Sequence, residues 1–240
     1  MNDTPTPDNP FHCVVDFDLF RRALTIASEE EERPYITGVF VEPHPAGGAL
    51  LVATNGHSLI CLRDKSAITS PVGGIVKLNR QTLRAVKHAT DRVGLTPRLG
   101  VSHGRASVVF PKTERQWRKP EFLNLATKPD ASVVAHQWDG VVVNATYPDW
   151  RRAVPAPSDN AVVAGFNADL ICPLAAALVG GGIVARVRIV PGQGEEAAAA
   201  EGHVPHLVFG PNHVDGFGVL MPIMHSGIKA ALPPWFEGAV

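Results

Sequence analysis

Leu50-Leu-Val-Ala-Thr-Asn-Gly-His-Ser-Leu-Ile-Cys-Leu-Arg63 holds the decisive pattern of this chain. Two apolar, β-like runs, 50–54 and 58–63, flank the polar turn Asn55-Gly-His57, with Gly56 able to adopt a tight backbone. A third run at 36–42 lies just upstream, so 36–63 reads as an antiparallel meander. A helical pattern precedes it over 16–30, where Phe17, Phe20, Leu24 and Ala27 recur at helical spacing behind Asp16, a good N-cap.

The same order returns further along. Segment 79–91 reads as a helix capped by Asn79, with Leu83, Val86 and Ala89 or Thr90 inward and Gly94 as its stop. Runs 99–102 and 105–110 then form a hairpin across His103-Gly104, and 141–145 adds a strand. A third helix is predicted over 167–179, with Leu170, Leu174 and Leu178 on one stripe and Gly180-Gly-Gly182 after it. Pro173 is expected to kink that helix or delay its start. Runs at 185–190, 206–209 and 218–221 follow. A short β-like run leads into each helix, so a strand, helix and several strands recur about three times. The fold class is α+β, with repeated strand-helix-strands units, antiparallel sheets and helices on one face. Stretches 111–129 and 191–205 read as loops.

Composition bounds the function. The chain has 240 residues, 45% of them hydrophobic and 19% charged, which suits one large or two small cores and argues against a disordered chain. Net charge is −1, so no bulk basicity announces nucleic acid, although a local basic face is compatible with it. Cys13, Cys61 and Cys172 are odd in number and widely spaced, which argues against a disulfide framework and for a reducing compartment. The opening MNDTPTPDNP has neither the basic start nor the apolar stretch of a signal peptide. No apolar run nears the roughly 20 residues a spanning helix needs. The expectation is a cytoplasmic protein without membrane contact.

Four motifs, in order, resemble the bacterial DNA polymerase III beta subunit, the sliding-clamp family. They are Arg33-Pro-Tyr-Ile-Thr-Gly-Val-Phe40, Val52-Ala-Thr-Asn-Gly-His-Ser-Leu59, Tyr147-Pro-Asp-Trp-Arg-Arg-Ala-Val-Pro155 and Val219-Leu-Met-Pro-Ile223. The resemblance implies a DNA-clamp-like fold. Residues 1–10 would be a disordered N-terminal segment and 11–155 a unit like the family's central domain, with an insertion near 111–137. Residues 156–224 would be half of a final-domain-like unit, and 225–240 a C-terminal tail. The family's first domain and the first half of its last domain have no counterpart here.

The resemblance also implies a role. Family members do no chemistry and tether DNA polymerases or repair proteins to duplex DNA, without reading its sequence. Partners insert a short peptide into an apolar groove between the last two domains. The matching positions are Ile36, Thr54, Gly56, His57, Leu59, Pro148, Arg152, Val154, Val219, Met221, Pro222 and Ile223. Apolar members can line a desolvated pocket, Met221 adds an adaptable wall and the prolines stiffen the rim. Asn55 and Ser58 stand where the family has aspartate and arginine. Helices would carry cations towards phosphates: Arg21 and Arg22 on the first, Arg80, Arg84, Lys87, His88 and Arg92 on or after the second. The third helix has no basic residue and carries Asp169. A homo-oligomer is expected. The chain holds about three half-units against six in a family chain that pairs as a dimer, so four copies would match the total. The alternative is a clamp-derived module that keeps the groove without closing a ring and competes for clamp-binding motifs.

Other readings are weaker. Lys112, Arg115, Trp117, Arg118 and Lys119 place an aromatic in a basic loop that suits single-stranded nucleic acid or plain solvation. Leu232-Pro-Pro-Trp-Phe236 could dock in the chain's own groove or a neighbour's, or pack as a cover. For an unrelated α+β enzyme, Gly180–182 follows a helix, the reverse of a phosphate-binding loop. His203, His206 and His213 lack a partner at metal-ligand spacing, and His57 with Cys61 lacks an orienting acid. No cofactor, metal or catalytic residue is implied.

Overall fold

The computed structural model describes residues 11–79, 97–102, 104–110, 134–156, 166–180, 188–192, 204–211 and 215–223. Helix α1 (Phe17–Leu24) follows strand β1 (Cys13–Asp16) directly. The Asp16 Oδ1 accepts from the backbone N–H groups of Asp18 and Leu19 at 2.9 and 3.1 Å, satisfying two orphan donors of the first turn. The helix is shorter than its sequence pattern predicts. After Leu24 the chain tightens into three-residue turns, Ile26 N–H to Ala23 and Ala27 N–H to Leu24. Ser28 N–H then leaves the helical ladder for the carbonyls of Ile36 and Thr54, so the sheet takes the donor the helix needed.

Strands β2 (Val39–Pro43), β3 (Ala49–Thr54) and β4 (Ser58–Asp64) make the expected meander, except that Ile36 sits in a 3-10 turn, Pro34–Ile36. Then come β5 (Ile68–Thr69), β6 (Gly74–Leu78) and the hairpin β7 (Arg98–Ser102) and β8 (Arg105–Phe110). Strand β9 (Val134–Val143) starts inside the expected insertion and ends before 145. The rest of that insertion and segment 80–91 lie outside the described residues. Helix α2 (Ala168–Val179) is capped by Asn167 and closed by Gly180 at φ +82°. It runs through Pro173 without delay, the residue lying exposed beside a cleft that it lines with Arg21, Arg22 and Thr25. Strands β10 (Arg188–Pro191), β11 (His206–Phe209) and β12 (Gly216–Leu220) follow.

The described strands form one sheet in the order β10-β11-β12-β4-β3-β2-β6-β9-β8-β7-β1-β5, antiparallel throughout. The repeated units exchange strands. Strand β6 pairs with β2, while β1 pairs with β7. The last strands of the first and third units join edge to edge, Leu59 opposite Val219 and Ile60 opposite Gly218.

Successive residues on these strands serve opposite faces. Val39, Val41, Leu51, Ala53, Ile60, Leu62, Val208 and Leu220 face the helices, in a core with Phe17, Phe20, Leu24 and Leu174. Phe40, Val52, Leu59, Cys61, Leu207 and Val219 build a second cluster on the other side. Both faces being buried explains why 58–62 reads as a continuous apolar run rather than an alternation. Both described helices lie on the first face, as expected.

Candidate functional site

The turn between β3 and β4 is built by side-chain bonds. Asn55 Oδ1 accepts from His57 N–H at 3.0 Å, Ser58 N–H at 2.8 Å and the Ser58 hydroxyl at 3.2 Å. The Thr54 hydroxyl donates to the Ser58 carbonyl at 2.8 Å and accepts from Gly56 N–H at 3.1 Å. Gly56 has φ +89°, a left-handed conformation that an L side chain resists. An asparagine thus supplies the acceptor that an aspartate would. Ser58, at the family's arginine position, is turned inward and buried.

This turn meets the end of β12. Met221 N–H donates to the His57 carbonyl at 3.0 Å, one residue beyond the last β4–β12 pair. Ile36, Leu59 and Val219 are buried in the second cluster, with Val154 half-buried against it. The carbonyls of Ile36 and Thr54 share the Ser28 N–H. The structure therefore brings Ile36, Thr54, Gly56, His57, Leu59, Val154, Val219 and Met221 to one junction. Met221 and Ile223 are 39% and 40% exposed, with Pro222 half-buried between them. Tyr35, next to Ile36, is 39% exposed. Three of the four large exposed apolar side chains among the described residues belong to these two segments; Val141 is the fourth.

Segment 147–154 covers the cluster and carries the exposed Pro148 and Arg152. Three contacts hold it. Tyr147 stacks on Phe40, centroids 4.7 Å apart and planes 7° from parallel. The Trp150 indole N–H donates to Glu42 Oε2 at 3.0 Å. Arg151 forks onto both Glu42 oxygens at 3.0 and 3.1 Å while its guanidinium lies 4.4 Å from the Trp150 ring centroid. Tyr147 and Trp150 stand inside a motif legible in the sequence. Glu42, 108 residues from Trp150, carried no signal that could have paired them.

Other sequence-predicted residues have different surroundings. Arg22 donates from Nε and one terminal nitrogen to the carbonyls of Ala177 and Leu178, so it caps the C-terminus of α2. Part of its donor fork is thus turned to α2. Arg21 pairs with Asp18 on its own helix. Arg80, Arg84, Lys87, His88 and Arg92 lie outside the described residues, as do the 112–119 loop and 224–240. The nucleophile-pair reading of His57 and Cys61 also fails. Cys61 is buried and burial pushes its thiol up to about 12, whereas His57 is exposed. His206 is buried, its Nδ1 2.8 Å from the Val204 carbonyl and its ring edge-on to Phe166. His203 and His213 lie outside the described residues.

This arrangement of exchanged strands, edge-joined units and helices on one face is the fold of the DNA sliding clamps. A solved sliding clamp (DNA polymerase III subunit beta) from Bartonella birtlesii, bound to griselimycin, matches with a TM-score of 0.55 at 15% identity, over 89% of this chain and 66% of that one. A DNA polymerase sliding clamp from Pseudomonas aeruginosa matches with a TM-score of 0.55 at 12% identity, over 93% and 69%. The chain spans about two thirds of the length of these proteins, and at such identities the likeness is one of fold. No protein-family profile and no curated protein sequence matches. Among the described residues, no helix is long and apolar enough to cross a membrane.

Proposed function

We propose that this chain is a non-enzymatic, sliding-clamp-like protein that tethers a DNA polymerase or repair protein through an apolar peptide groove at the β4–β12 junction. One observation carries the reading. Ile36, Leu59, Val154 and Val219 share one apolar cluster, and a backbone bond seats Met221 beside His57 at its edge. A leucine or aromatic anchor entering there would leave water against a surface whose backbone is already ordered, which lowers the cost of binding.

The test is titration of a labelled peptide bearing leucine and phenylalanine anchors. Ile36→Ala with Met221→Ala should weaken binding about tenfold to a hundredfold, or roughly 1.4–2.8 kcal/mol, while the chain stays folded. Unchanged affinity in a folded double variant removes the groove.

A second reading is a groove-bearing module that forms no ring and competes for clamp-binding motifs. It is favoured by the surface pairing of Arg21 with Asp18 and the engagement of Arg22 with the end of α2, which reduce the charge α1 could offer to duplex DNA. Solution mass and salt-dependent DNA retention separate the two. A large assembly that holds DNA more weakly as salt rises supports a clamp. A monomer or small dimer that binds peptide but not DNA supports the module.

A further inference from the structure

We propose that the groove selects peptides whose hydrophobic anchors are flanked by lysine or arginine, with loop 28–33 as the rim that reads the flank. The proposal rests on the groove reading above and adds the chemistry of the occupant.

Both ends of the loop are fixed to the junction. At one end Ser28 N–H donates to the carbonyls of Ile36 and Thr54 at 3.0 and 3.2 Å. At the other the Arg33 guanidinium lies over the Gly56 turn, where a methyl group on Gly56 would stand 3.8 Å from Arg33 Nη1. Glu29, Glu30, Glu31 and Glu32 run consecutively between these ends, all of them exposed. Arg33 N–H donates to the Glu30 carbonyl at 3.1 Å, and Arg33 Nε pairs with the Glu30 carboxylate at 3.3 Å. That pair neutralises one carboxylate. Among the described residues, no ion pair engages Glu31 or Glu32.

The charged rim adjoins the apolar surface. Tyr35 follows Arg33-Pro34 and is 39% exposed, while Met221, equally exposed, bonds to His57 on the turn that Arg33 overlies. A chain that seats a leucine or aromatic anchor there lays its flanking residues beside loop 28–33. Four carboxylates against one guanidinium make that border negative, although the whole chain carries a net charge of only −1. Nearby cations do not cancel it. Arg33 is held by Glu30 and Arg151 by Glu42, and the exposed Arg152 lies on the covering segment instead. Rim charges of this kind act on encounter and on the choice between partners, while the anchors supply the holding energy.

The experiment uses three labelled probes with the same leucine and phenylalanine anchors, flanked on both sides by two lysines, two serines or two glutamates. The full chain should bind the lysine probe about threefold to tenfold more tightly than the serine probe, and the glutamate probe more weakly still. The difference should lie mainly in the association rate and shrink as salt rises. Full-length Glu31→Lys/Glu32→Lys, both positions being exposed, should stay folded, reverse the order and leave the serine probe within about twofold. Equal affinity for the three probes overturns the selection and leaves the groove standing. A lysine preference that survives in the variant overturns it too, because the charge would then lie elsewhere. So does equal binding of a lysine probe whose anchors are replaced by alanine, which would mean capture by charge alone. Absence of binding by every probe removes the groove and the proposal together.

Discussion

The two faces of the strands β2, β3, β4 and β12 are covered in different ways. One carries α1 and α2, whose Phe20 and Leu174 reach complete burial over Leu51, Ile60, Leu62 and Leu220. The other is covered by segment 147–154, held by the Phe40–Tyr147 stack and by Glu42. A helix satisfies its own backbone and presents a continuous apolar stripe. A short irregular segment must find partners for its polar groups one at a time, and it leaves a margin. The candidate groove lies at that margin, beside β12. A sheet buried on both sides thus has one face sealed by helices and the other under an irregular cover that leaves Met221 and Ile223 exposed beside it.

The sharpest way to break this comparison uses two leucines of β4 that point to opposite faces. Leu62→Ala on the helix side should cost about 4 kcal/mol and Leu59→Ala on the outer side about 2 kcal/mol, measured by urea unfolding, because a loosely covered site collapses more easily. Equal costs would mean that the outer cover packs as tightly as the helices. Glu42→Gln tests the cover itself. It should lower stability by about 1 kcal/mol, Arg151 being half exposed, and weaken peptide binding about threefold to tenfold. Unaltered peptide affinity would detach Glu42 from the groove.

A smaller effect of opposite sign is expected at Tyr147. Its hydroxyl is buried and has no hydrogen-bond partner among the described residues, and burial holds its pKa well above the ordinary tyrosine range. Tyr147→Phe keeps the ring on Phe40 and removes the stranded hydroxyl, so the thermal midpoint should hold or rise, by about 1 kcal/mol at most. A fall would reveal a partner for that hydroxyl. The finest test leaves the chain nearly intact. Cys13 lies in the helix-side core and Cys61 in the outer cluster, both buried with thiols pushed up by desolvation, while Cys172 is exposed. At pH 8 a thiol reagent should label Cys172 at once. As urea is raised below the main transition, Cys61 should become reactive before Cys13. Simultaneous labelling would mean that both covers open together.

Much of this organisation was legible in the amino-acid order. The helix starts at Asp16 and Asn167, the turn at Gly56 and the hairpin 98–110 rest on interactions within a few residues, and short-range rules read them correctly. The motifs also located the residues that meet around Leu59 and Val219. Less was legible where distant segments compete for one group. The continuation of α1 was lost because Ser28 N–H serves Ile36 and Thr54 instead. Arg22 reads in the sequence as a cation for phosphates, and nothing near it in the chain signals that the end of α2, 155 residues away, accepts from it.

By itself, the sequence determined the repeated unit, the apolar rhythm of its strands and the capping chemistry of its helices, since each depends on neighbours along the chain. Only the tertiary structure decided that β4 and β12 share an edge, that Glu42 fastens Trp150 and Arg151, and that Met221 stands beside His57. Those pairings join residues more than a hundred positions apart. Periodicity says which face a side chain seeks, whereas the pairing of distant strands selects the neighbour it meets there.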